Sequence, residues 1–176
     1  MVPSVIIVMG VSGSGKTTVA SLLAQVLHWR FVEGDSFHPA ANVARMREGM
    51  PLADEDRWPW LDGIAAWIDS ARASGERCVV TCSALKRAYR ERLVSGHDDA
   101  RIVYLKGARR LVTQRMAART GHYMPLSLLQ SQFDTLEEPG SEENPLVVPI
   151  EASPEAIVDS IVANLRLDTG LVHNPQ

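Results

Sequence analysis

The sequence predicts an α/β fold: one parallel sheet of five strands, with helices covering both faces. Three observations carry this. Short apolar runs alternate with stretches of helical periodicity along the chain. The runs are continuously apolar rather than alternating, as strands buried on both faces are. The first run also passes through a glycine-rich turn directly into the first helical stretch, the order of a β-to-α unit.

The elements follow in order. Val5 to Met9 is the first strand, and Val19, Leu22, Leu23 and Val26 give the segment from Lys16 to Leu27 a helical apolar face. Arg30 to Gly34 is the second strand. Pro39 opens a helix running through Val43 and Met46 to Gly49. The charged stretch Asp54-Glu55-Asp56-Arg57 precedes a helix whose Trp60, Leu61, Ile64, Trp67 and Ile68 mark a buried face, and the tryptophans read as core. Arg77 to Cys82 is the third strand, followed by a helix through Leu85, Tyr89 and Leu93. Ile102 to Leu105 is the fourth, followed by a helix from Leu111 to Arg119. A break at Gly121-His122 separates this from a helix over Leu126 to Leu136. Leu146 to Ile150 is the fifth strand, and Ser153 as N-cap with Pro154 at N1 opens the last helix.

At 176 residues the chain has the length of one domain. Hydrophobic residues at 45% and charged residues at 22% are those of a globular protein, not a disordered one. A net charge of -3 offers no general field for nucleic acid or an anionic membrane. Cys78 and Cys82 share one face of one strand about 13 Å apart, too far for a disulfide, and read as buried reduced thiols. With no secretory leader in view and no long apolar span, the expected location is the cytoplasm.

Gly10-Val11-Ser12-Gly13-Ser14-Gly15-Lys16-Thr17 matches G-x-x-x-x-G-K-[ST] in full, between the first strand and the first helix. The glycines let backbone N–H groups turn inward onto phosphate oxygens, and the helix N-terminus adds its dipole. Lys16 brings charge to the β- and γ-phosphates, and the Thr17 hydroxyl is the expected Mg²⁺ ligand. These eight residues and the adjoining Thr18 are the candidate ATP-binding set. The fold is therefore expected to be that of P-loop nucleotide-binding proteins.

The chemistry must be read from the other strand ends. The third strand ends in Thr81-Cys82-Ser83, without the acidic residue many ATPases carry there. Asp35, after the second strand, should face the same crevice as Lys16 and could take the proton of an attacking hydroxyl. His38, Arg57, Lys86 and Arg90 add cations and hydrogen-bond donors, Lys86 and Arg90 sharing a helix face, for an anionic or polyhydroxylated acceptor. Arg109, Arg110, Arg115 and Arg119 form a second basic group. Arg110 reads as an exposed helix end, whereas Arg115 and Arg119 read as lid residues able to reach the transferring phosphoryl.

The chain resembles the gluconokinase family of P-loop small-molecule kinases from Gly10 to about Pro139. Beyond the phosphate loop, the resemblance lies in Gly34-Asp-Ser-Phe-His-Pro39, Asp54-Glu-Asp-Arg57 with Pro59-Trp-Leu61, Cys82-Ser-Ala-Leu-Lys86 with Tyr89-Arg90, Gly121-His-Tyr-Met124, and Ser131-Gln-Phe133. Glu33 and Arg45 depart from it, where the family usually has Asp and Lys. It implies Mg²⁺- and ATP-dependent phosphorylation of D-gluconate on its 6-hydroxyl, a homodimer, and a place in the pentose phosphate or Entner–Doudoroff route. On this reading Asp35 engages the hydroxyl, and Lys16 and Arg119 stabilise phosphoryl charge. His38, Arg57, Lys86 and Arg90 hold the sugar acid, with His122 or Gln132 completing the pocket. The expected layout is one kinase domain over 1–167, with an acceptor segment at about 35–75, a lid at about 115–130 and a frayed tail at 168–176. A related kinase for shikimate, a nucleoside monophosphate or another sugar acid is the rival enzyme. A nucleotide-binding switch is the rival of a different class.

Overall fold

The computed structural model describes residues 1–119 and 125–170. His122 and its neighbours in the expected lid, and the expected frayed tail beyond Gly170, lie outside the described residues. Strands β1 (Val5–Met9), β2 (Arg30–Glu33), β3 (Cys78–Thr81), β4 (Ala100–Lys106) and β5 (Leu146–Pro149) form one five-stranded parallel sheet in the order β2-β3-β1-β4-β5. Around it stand α1 (Lys16–Leu27), α2 (Ala40–Arg47), α3 (Asp54–Ala73), α4 (Arg87–Val94), α5 (Arg109–Ala118), α6 (Leu126–Thr135) and α7 (Pro154–Leu165).

The central strand β1 is wholly buried, as its unbroken run of Val, Ile and Met requires. Period-two alternation divides it between two cores. Ile6 and Val8 pack with Leu23 of α1, Val112 of α5 and Ile161 of α7. Val5, Ile7 and Met9 pack with Ile64 and Ile68 of α3 and with Tyr89 and Leu93 of α4. Each such aliphatic side chain contributes about 1.5–3 kcal/mol by leaving water. Cys78 and Cys82 share the second core as buried free thiols, and burial raises their pKa values to about 11 and about 12.

Local chemistry shifts some boundaries from those expected. The acidic stretch does not precede α3 but is its first turn: Asp56 accepts from the Ala53 N–H at 2.8 Å, and three carboxylates meet the positive helix end. Between β2 and α2 the chain makes a 3₁₀ turn, Gly34–Phe37. Lys86 is extended and caps α4 rather than lying on it. At the last helix the expected cap forms, with the Ser153 hydroxyl accepting from Ala156 N–H at 3.2 Å. Because every strand runs the same way, the loops after all five emerge at one edge of the sheet.

Candidate active site

The phosphate loop joins β1 to α1 at that edge. Gly13 has φ 80, and a Cβ there would stand 2.5 Å from Met116 Cγ of α5. Glycine is thus demanded twice, by the backbone angle and by the close floor of α5 beneath it. The Lys16 ammonium donates to Val11 O at 3.0 Å, which folds its side chain back over the loop. Burial holds its pKa below the usual lysine value, while the nearby carboxylates of Asp35 and Glu33 act in the opposite direction. Thr17 and Thr18 are exposed at the first turn of α1. From α6, Gln132 reaches across and accepts the Ser12 N–H at 2.6 Å.

Asp35 is aimed by its neighbours. The Thr81 hydroxyl donates to Glu33 Oε2 at 2.9 Å and accepts the Gly34 N–H at 3.1 Å, tying the ends of β2 and β3 together. A Cβ on Gly34 would strike the Thr81 carbonyl, so only glycine lets the strands stay this close while the chain turns. The Trp60 indole N–H then donates to Gly34 O at 2.8 Å. Asp35 stands on the 3₁₀ turn so held, its side chain half exposed.

His38 lies on the next turn, its ring stacked on Trp60 at 4.1 Å. Asn42 Nδ2 donates to Asp56 O at 2.8 Å and lies 3.5 Å from His38 Nδ1. That arrangement leaves the ring proton on Nε2, which is 4.0 Å from Asp35 Oδ1. Burial depresses the imidazole pKa to about 4, Arg57 adding to the effect and Asp35 opposing it. His38 is therefore a neutral donor at neutral pH.

Arg57 is fixed by Tyr89, whose hydroxyl accepts from its Nη1 at 2.7 Å and donates onward to Asp54. Lys86 closes the chain with bonds to both Asp54 oxygens, at 3.1 and 3.3 Å. The Tyr89 hydrogen bond, with Lys86 next, holds the Asp54 carboxyl below the usual aspartate value.

Beside the phosphate loop, Ser12, Lys16, Asp35, His38, Arg57 and Gln132 line one crevice. Trp60, Ser83, Leu85, Met46, Leu52 and Leu128 also stand in its wall. A second groove borders the same loop, where Gly13, Ser14, Gly15, Thr18, Arg115 and Arg119 meet Ile150, Ala152, Pro154 and Ile157. Arg115 Nη2 donates to Ile150 O at 2.8 Å, and Arg119 ends α5 as an exposed cation.

Most of the expected site residues therefore lie along two depressions that border the phosphate loop. Lys86 reaches the crevice only through Asp54 and Tyr89. Arg90 does not reach it: it does not share a face with Lys86, and its buried guanidinium pairs with Glu143 at 2.6 Å. His122 lies outside the described residues. Spacing alone overlooked the roles of Tyr89 and Asp54, although the charge-dense turn marked the neighbourhood. Trp60 is core, as expected, but also a wall of the crevice. The apolar residues of the second groove carry no chemical signature.

Among the described residues no cluster of three His, Cys, Asp or Glu forms a metal cage. Glu33 Oε1 is buried without a hydrogen-bond partner among those residues, and the Thr17 hydroxyl is exposed at the loop's end. The Thr17 hydroxyl fits Mg²⁺, which keeps several waters and binds through few protein oxygens plus substrate phosphates.

A parallel sheet, a complete phosphate loop and a crevice pairing a lysine with a carboxylate define a P-loop kinase. Residues 5–139 match a family model described as an AAA domain. A gluconokinase of Gluconobacter oxydans (strain 621H) is 43% identical over 166 residues, spanning 94% of this chain and 93% of its own length. The crystal structure of a gluconokinase from Sinorhizobium meliloti 1021 matches with a TM-score of 0.82 and 44% identity, over 99% of each chain. That of a sugar kinase from Janibacter sp. HTCC2649 matches at 0.90 and 42% identity, over 96% of this chain and 97% of the other. The chain belongs to the gluconokinase family.

Proposed function

We propose that this protein transfers the γ-phosphoryl group of ATP to the 6-hydroxyl of D-gluconate, giving 6-phospho-D-gluconate and ADP. The observation that carries the reading is that Lys16, Asp35, His38 and Arg57 line one crevice beside the phosphate loop. The acceptor hydroxyl oxygen forms the new bond to the γ-phosphorus, the bond to the β–γ bridging oxygen breaks, and the hydroxyl proton passes to Asp35. Lys16 and the loop N–H groups stabilise the charge on the phosphoryl oxygens, and Arg119 adds to this from the end of α5. Arg115 and Thr18 hold the nucleotide in the second groove.

Arg57, held by Tyr89, is the cation for the sugar-acid carboxylate, and neutral His38 donates from Nε2 to a substrate oxygen. Lys86 serves through the Asp54–Tyr89 network, and Gln132 completes the pocket. Thr17 would hold Mg²⁺, and the ion would neutralise phosphate charge when bound. The protein acts as a homodimer in the cytoplasm, within the pentose phosphate or Entner–Doudoroff route, with no nucleic-acid or membrane partner. No helix among the described residues is long and apolar enough to cross a membrane.

A coupled ADP-release assay over a panel of acceptors tests the reading. D-gluconate should give a rate well above the background ATPase. Shikimate, nucleoside monophosphates and other sugar acids should not. A rate with another acceptor and none with gluconate would leave a kinase with the wrong substrate. Tight ATP binding with no acceptor-stimulated rate would favour the switch.

A further inference from the structure

Arg90 is a buried charge outside the crevice it was expected to serve. Its side chain is 1% exposed, and its Nε and Nη2 grip Glu143 as a fork at 2.6 and 2.9 Å. The remaining amino group, Nη1, donates to the carbonyls of Ala84 at 2.9 Å and Leu85 at 3.3 Å. Between β3 and α4 these carbonyls belong to a strained turn. Ala84 has φ 46, in the left-handed region that a residue with a Cβ enters only at a cost. The residues on either side of it, Ser83 and Leu85, both line the acceptor crevice. Downstream of α6, Glu137 N–H also donates to Leu85 O at 2.8 Å, so the chain around Glu137 and Glu143 backs the turn.

We propose that Arg90 is a positioning residue for the acceptor site. Anchored by Glu143, it holds two consecutive carbonyls, keeps Ala84 left-handed and so sets where Ser83 and Leu85 stand in the crevice. The proposal rests on the kinase reading and replaces direct contact between Arg90 and the sugar acid. Lysine could keep the charge, but a single ammonium cannot fork onto a carboxylate and span two carbonyls.

The test compares the full chain with Arg90→Lys, Arg90→Met, Ala84→Gly and both Arg90 variants combined with Ala84→Gly. Acceptor KM and kcat are measured for each, together with nucleotide affinity in the absence of acceptor. Arg90→Lys should raise acceptor KM about tenfold while nucleotide affinity stays within about twofold. Arg90→Met should raise it further. Glycine adopts the left-handed turn freely, so adding Ala84→Gly should recover part of the lost acceptor affinity in either Arg90 background.

A merely structural arginine would weaken nucleotide and acceptor together and would gain nothing from glycine at 84. An unchanged acceptor KM in Arg90→Lys, or simple additivity with Ala84→Gly, overturns the proposal. If Arg90→Met does not fold, the lysine pair carries the same comparison. The KM is read with whichever acceptor the unaltered chain phosphorylates. Failure of the gluconate assignment therefore shows in the unaltered chain, and failure of the Arg90 role only in the variants.

Discussion

The phosphate loop and the acceptor crevice are neighbours built by opposite means. The loop is eight consecutive residues that offer backbone N–H groups together with the Lys16 ammonium, shaped by glycine and floored by Met116. The crevice gathers side chains from the turn after β2, from α3, from the loop after β3 and from α6, and holds them by chained hydrogen bonds. The loop's geometry should therefore respond to backbone conformation, and the crevice to the loss of single side-chain atoms.

The largest effect that separates them is expected at Asp35. Asp35→Asn should lower kcat about 10³-fold, about 4 kcal/mol, while a nucleotide analogue still binds as tightly as before. Near-normal turnover in that variant would remove the carboxylate from the reaction.

Second comes His38. Its folded pKa, about 4, lies below the usual 6.5, so the unfolded chain takes up the proton first. The stability this contributes is full above about pH 6.5 and is lost as the pH falls toward 4, amounting to at most about 3 kcal/mol. Urea unfolding across that window should show the loss in the unaltered protein and flatten in His38→Gln. An equal slope in both would place the titration elsewhere.

Gly13→Ala probes the loop in the same terms. It combines a left-handed backbone with the close approach of Met116, and should cost about 2 kcal/mol of stability and about tenfold in nucleotide affinity. Ser12→Ala should bind nucleotide normally, because the loop contributes there through its backbone. Comparable losses from both variants would break the contrast.

The smallest effect is Tyr89→Phe, which leaves the ring and removes the hydroxyl between Arg57 and Asp54. It should raise gluconate KM several-fold, about 1 kcal/mol, with kcat nearly unchanged.

The same contrast governs what could be read from the chain. The phosphate loop was legible because its donors are consecutive and its glycines mark the turn; strand β1 and helix α1 fell where periodicity put them. Asp35 was placed beside Lys16 because strand ends of a parallel sheet share one edge, His38 because it follows Asp35, and Arg57 because it follows the acidic turn; all three line the crevice. Arg90 was misplaced because four-residue spacing aligns two side chains only when both lie on the helix, and Lys86 is the extended cap of α4. Its helix turns that position inward, where Glu143, fifty-three residues later, meets it. The charge of Asp54 was visible, but its partner Tyr89 lies thirty-five positions away and is brought to it by tertiary packing. The apolar wall of the second groove resembles ordinary core until the fold closes it against the loop.

The two thiols of the second core offer a practical consequence. Thiol reagents attack the thiolate, and with pKa values of about 11 and about 12 both sulfurs are almost wholly protonated at neutral pH as well as shielded. Cys78 and Cys82 should stay unlabelled in the intact protein and react only when strand β3 is pulled from the sheet. Their rate of modification becomes an internal clock for opening of the sheet, read without an added probe or an engineered residue.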